Sequence, residues 1–113
     1  MAKGTAKMEA QTIIQDNFEA KNDSFLYFLR EKSTFKKDSF NRLCNAVRAI
    51  ADTNVEISRN AQKITHIYGT ILKCFMYHFD KNDDYKITDL PDNYNKMIAL
   101  LDKNVEYYFA TRI

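Results

Sequence analysis

From Phe40 to His78, apolar residues return at alternating steps of three and four: Phe40, Leu43, Val47, Ile50, Asn54, Ile57, Ala61, Ile64, Tyr68, Ile71, Phe75, His78. Only Asn54 and His78 depart from apolar character, and no Gly or Pro interrupts the run before Gly69. Steps averaging about 3.5 residues belong to helices that pack at a shallow crossing angle, as in coiled coils and up-down bundles. A helix unbroken from residue 38 to residue 79 would reach about 60 Å, long for a compact monomer of this size. The trio Asp52, Thr53 and Asn54 is polar and weakly helix-forming, and Asp52 or Thr53 can cap a second helix beginning near Val55. Two forms follow. In a continuous helix Asn54 needs a polar partner, such as its symmetry mate in a parallel dimer; in a broken one, two helices share a bundle and Asn54 is a first-turn residue.

Weaker patterns flank this seam. Met8, Ile13, Ile14 and Phe18 make a loose helical stripe from about Met8 to Ala20. Asp23 or Ser24 can cap a short helix carrying Phe25, Leu26, Phe28 and Leu29, and Asp38 and Ser39 are capping types ahead of Phe40. Residues 80–93 read as a polar loop, after which Asp92 can cap a last helix with Tyr94, Met97, Ile98, Leu101, Val105, Tyr108 and Phe109 at helical spacing. Two Gly and one Pro in the whole chain leave few tools for tight hairpins. The expectation is an all-α protein: a small up-down helical bundle of four or five helices, with one long central helix as the alternative to the broken form. One helical domain spans residues 1–113, with residues 1–7 expected to be disordered.

Composition narrows the class. At 113 residues the length suits one domain, and 45% apolar residues with a net charge of +2 separate the chain from disordered sequences. No apolar run reaches the length of a membrane span or a signal-peptide core, which predicts a cytoplasmic protein without a membrane partner. Cys44 and Cys74 are too few for a disulfide framework and lack the paired spacing of a zinc site, so free thiols are expected. No Gly-rich phosphate loop or spaced nucleophile is present, and no cofactor is expected.

Three constellations carry candidate chemistry. Asp80, Asn82 and Asp84 alternate as at the start of a calcium loop, but Tyr85 stands where such loops use Gly and Pro91 where they use a closing Glu. The Arg30–Arg48 segment holds six basic residues against two acidic ones, whereas Asp80–Asp92 holds five Asp against two Lys. Phosphates or a charged partner could meet the basic segment, and its exposed cations would give salt-dependent binding. The third is the run RNAQKITHIY, with Arg59, Asn60, His66 and Tyr68. It resembles the motif of HEPN ribonucleases, an Arg followed after four to six residues by a His. These are small all-α proteins whose active site forms across a dimer. That resemblance implies Arg59 on the scissile phosphate and His66 as proton-transfer catalyst, without metal; Asn60 suits the polar position after the Arg.

Weighed together, these features favour a non-enzymatic protein-protein interaction module with a regulatory, inhibitory or assembly role, working as a homodimer. Its partner-binding residues are expected at the basic junction (Lys32, Lys36, Lys37, Arg42) and at the aromatic C-terminal end (Tyr107, Tyr108). A nucleic-acid-binding bundle and a HEPN-like ribonuclease using Arg59 and His66 are the alternatives.

Overall fold

The mid-chain seam folds as two helices. The computed structural model describes residues 3–53 and 59–111. It contains α1 (Lys3–Glu19), α2 (Phe25–Glu31), α3 (Lys37–Ala51), α4 (Asn60–Phe79) and α5 (Tyr94–Ala110). Asp52 ends α3 as its C-cap and Thr53 Oγ1 donates to the Ile50 carbonyl at 2.7 Å, so this pair finishes one helix and does not start the next. Arg59, immediately before α4, is left-handed at φ 57°, a conformation that cannot continue a right-handed helix. The second helix therefore begins at Asn60, later than the expected start near Val55. Asn54, Val55 and Ile57 lie outside the described residues.

The other boundaries move for identifiable reasons. α1 begins at Lys3, so part of the 1–7 segment expected to be disordered is helical; Ala6, Lys7, Met8, Glu9 and Ala10 are strong helix formers through which a nucleated helix propagates cheaply. Ser24 caps α2 by accepting from the Tyr27 amide at 3.2 Å. α3 starts at Lys37, because the Ser39 hydroxyl is buried and donates to the Asp23 carbonyl instead of capping. Asn93, not Asp92, precedes α5.

Side-chain pairs fix the helix directions. Asp16 and Asn17 lie beside Ser39 and Arg42, while Glu9 and Ala10 lie beside Ala46 and Ala49, so α1 and α3 are antiparallel. Gln11 meets Asn60 and Phe18 meets His66, so α1 and α4 run the same way. Tyr68 meets Asp102 and Phe75 meets Tyr94, making α4 and α5 antiparallel. The four long helices thus alternate up and down, with short α2 in the first connection. α3 packs chiefly on α1 and α5, whereas α4 packs on α1, α2 and α5, which sets α3 and α4 diagonally across the bundle.

Phe40, Leu43, Val47 and Ile50 from α3 and Ile64, Ile71 and Phe75 from α4 are buried, joined by Leu101, Val105 and Tyr108 from α5. Each such burial is worth about 1.5–3 kcal/mol before entropy. Most of the expected α1 stripe packs inward: Ile14 is buried, and Ile13 and Phe18 lie partly buried against the core. Met8 is 72% exposed, and Ala10, Ile14 and Asn17 form the buried line.

Candidate functional site

Helix α4 is apolar on more than one face. Asn60, Ile64, Ile67, Ile71 and Cys74 bury one line along it, and α5 leans against Tyr68 and Phe75. Four large hydrophobic side chains of α4 are exposed, Leu72, Met76, Tyr77 and Phe79, at 38%, 69%, 46% and 55%; Tyr77 turns about 100° away from Met76, which leaves Leu72, Met76 and Phe79 together. Their spacing of four and three places them on one stripe of the helix. One turn earlier on that stripe is Gly69, where an added Cβ would meet nothing within 4 Å. Phe79 is held in place: its ring lies 5.5 Å from Tyr94 and edge-on to His78 at 4.7 Å. Exposed Lys73 and Asp80 border the stripe. The result is a ridge of oily side chains on a rigid, well-anchored helix, suited to burying itself against another protein surface.

The loop after α4 is far more ordered than its composition suggests. His78 Nδ1 accepts the Ile87 amide proton at 2.9 Å, which ties the last turn of α4 to the loop. Tyr85 donates to the Leu29 carbonyl at 2.6 Å, and Ile87 is buried. The Phe35 amide donates to the Thr88 carbonyl and the Thr88 amide to the Ser33 carbonyl, forming a parallel bridge at Thr34 and Thr88. This stitching brings the acidic loop alongside the basic junction, so the two charged segments meet at one end of the molecule.

Each residue singled out from sequence has a definite place. Lys32, Lys36, Lys37 and Arg42 are exposed; Lys36 Nζ sits 5.1 Å from the Phe28 ring centre and Arg42 reaches Ser39 Oγ at 3.4 Å. Tyr107 is half-buried, donates to Asp52 at 2.8 Å and carries the Arg48 guanidinium 3.7 Å over its ring. Tyr108 is fully buried, so its expected place on a partner surface is corrected to a core position: adjacent residues on a helix point about 100° apart, and Tyr107 takes the outward direction. His66 is exposed and stands edge-on to Phe18 at 5.2 Å. Arg59 precedes α4 instead of lying within it, and Asn60 is turned inward. Its amide exchanges two hydrogen bonds with Gln11, at 2.8 and 3.0 Å, and is not free to serve a substrate.

In the loop, the Asp80 carboxylate accepts the Asn82 amide proton and the Asp83 carboxylate that of Tyr85, while Lys86 Nζ donates to the carbonyls of Asp80 and Asp83. A lysine ammonium thus occupies two backbone oxygens beside Asp80, Asn82 and Asp84. Both cysteines are free and buried, and burial pushes the Cys44 thiol up to about 12. A cleft of about 460 Å³ lies between α1, the turn after it and the start of α3, lined by Glu9, Asp16, Asp23 and Arg42 among others. Every described buried polar side-chain atom in the structure has a hydrogen-bond partner, including those of Asn17, Ser24 and Ser39 along this cleft.

Among the described residues, no helix is long and apolar enough to cross a membrane. No family model, curated protein or solved structure matches the chain.

Proposed function

We propose that this chain is a non-enzymatic protein-protein interaction module, regulatory, inhibitory or structural in an assembly, that engages another protein through the α4 ridge. The observation that carries the reading is the exposure of Leu72, Met76 and Phe79 at helical spacing on one rigid helix. Single exposed apolar residues are ordinary; an aligned stripe of three, with the last ring braced by Tyr94, is the anchor pattern of helix-mediated recognition. The charged end of the molecule supplements it. The basic junction and the acidic loop lie beyond the C-terminal end of the ridge and would steer a partner without contributing much affinity. Five Asp beside Lys32, Lys36 and Lys37 work against phosphate binding, which disfavours the nucleic-acid alternative. Two buried, unpaired thiols fit a reducing, cytoplasmic setting.

A photo-crosslinking side chain installed at position 76 in the native host tests the reading. Discrete adducts with one polypeptide are expected from position 76 and none from exposed Lys103 on α5. Equal labelling from both positions, or none from position 76, overturns it.

A further inference from the structure

We propose that the occupant of the α4 ridge is a second copy of this chain, packed antiparallel across a two-fold axis that passes close to Met76. The inference rests on the reading of the ridge as a protein contact and names the partner. Its basis is that the surface around Met76 complements itself. Leu72 and Phe79 lie about one turn to either side of Met76, the most exposed of the three. Lys73 and Asp80 border the stripe in the same arrangement, one basic and one acidic.

A two-fold axis perpendicular to the helix reverses one copy against the other, so a residue about one turn before Met76 meets the residue on the same edge about one turn after it. Met76 then packs on the partner's Met76, and Leu72 on the partner's Phe79. Lys73 faces the partner's Asp80, and the symmetry makes that contact twice. Neither Lys73 nor Asp80 is in an ion pair within its own chain among the described residues, where the ion pairs are Lys21 with Glu19 and Arg48 with Asp52; the Asp80 carboxylate accepts the Asn82 amide proton and keeps its charge. A parallel pairing in register would instead put the Lys73–Asp80 edges of the two copies on opposite sides of the contact, where Lys73 does not meet the partner's Asp80. Gly69, with open space where a side chain would be, leaves room for the reversed partner's loop just past Asp80. Three large side chains per copy make a small interface, so the dimer is weak and reversible, not obligate.

Sedimentation equilibrium tests the assignment. The wild-type mass should rise from one chain toward two as concentration approaches about 1 mM, and Met76→Glu should hold it at one. Lys73→Asp and Asp80→Lys should each raise Kd at least about tenfold, and the two together should return it to within about threefold of wild type. Because Asp80 also accepts the Asn82 amide proton, Asp80→Asn, which keeps that turn and removes the charge, should weaken the dimer at low salt as well. Met76→Cys should oxidise to a covalent dimer, whereas Gln62→Cys, exposed elsewhere on α4, should not. A wild type that stays monomeric near 1 mM, or a double charge swap no better than its single components, overturns the two-fold pairing. A monomer whose position 76 crosslinks a different polypeptide overturns the second copy and leaves the protein-contact reading standing; a monomer with no adduct there overturns both.

Discussion

Asn60 looks on paper like a polar residue beside a candidate Arg, and in the fold it is the buried half of a part-buried amide pair. Its side chain and that of Gln11 exchange donor and acceptor, so the first residue of α4 is locked to α1. Removing one member strands the other's polar atoms in a place water reaches poorly. Asn60→Leu alone is expected to cost about 2–3 kcal/mol, and Gln11→Leu with Asn60→Leu to recover part of that loss. Urea denaturation of the single and double variants measures the coupling; additive costs would mean that the amides do not support each other. Titrating groups give a second expectation at this scale. Burial raises Cys44 from its ordinary 9.0 to about 12 and pushes Cys74 and Tyr85 upward; burial and then its hydrogen bond to Asp102 raise Tyr68 to about 12. Each of these groups is neutral when protonated and holds its proton more tightly in the folded state. Their contribution to stability is therefore whole below pH about 9 and is lost as pH climbs toward 12. Denaturation midpoints should fall steadily above pH 9, with a shallower fall in Cys44→Ala; a flat profile would contradict the burial.

At the scale of elements, side chains from one segment complete the hydrogen bonding of another. The Asn17 side-chain oxygen Oδ1 accepts the Leu26 amide proton at 3.0 Å, capping α2 from α1, and the Asn104 side-chain amide donates to the Cys44 backbone carbonyl to tie α5 to α3. The 80–93 loop depends on the same device through His78. His78→Ala leaves the amide of buried Ile87 without its acceptor and should cost about 1–2 kcal/mol. Amide exchange at Ile87 and Thr88 should quicken while exchange in the middle of α3 stays slow. Loss of protection throughout the molecule would show that the loop is part of the global folding unit and not a separately opening one. These cross-element bonds also mark where sequence ceases to be informative. α3 was readable because its buried positions are Phe40, Leu43, Val47 and Ile50, all strongly apolar. α1 was readable only in part: Ile14 of its stripe is buried and Ile13 and Phe18 pack against the core, but Ala10 and Asn17 complete the inward line while Met8 points to water. An asparagine can be recognised as a core residue only once its partners are known. The break after Ala51 was legible in the polar trio, but the restart at Asn60 depends on a left-handed Arg59 that no residue preference announces.

Over the whole molecule, the same ambiguity hid the candidate site. Leu72, Met76 and Phe79 are as apolar as the seam residues beside them, and which line of α4 ends up inside is settled by where α1, α2 and α5 lie. Hydropathy counts oily positions on a helix; it does not count the neighbours available to cover them. With α3 and α4 diagonal, Leu72, Met76 and Phe79 of α4 stay exposed, and the proposed pairing with a second copy would cover them. A contact made by the folded chain and not by the unfolded one stabilises the fold by mass action. The thermal midpoint of the wild type should therefore rise as protein concentration approaches about 1 mM and stay nearly constant well below it. In Met76→Glu the midpoint should be independent of concentration. At the dilute limit the two proteins should agree within about 0.5 kcal/mol, because position 76 is outside the monomer's own packing. A variant that is much less stable even when dilute would mean that Met76 supports its own chain, and the ridge would then be part of the fold rather than a surface kept for a partner.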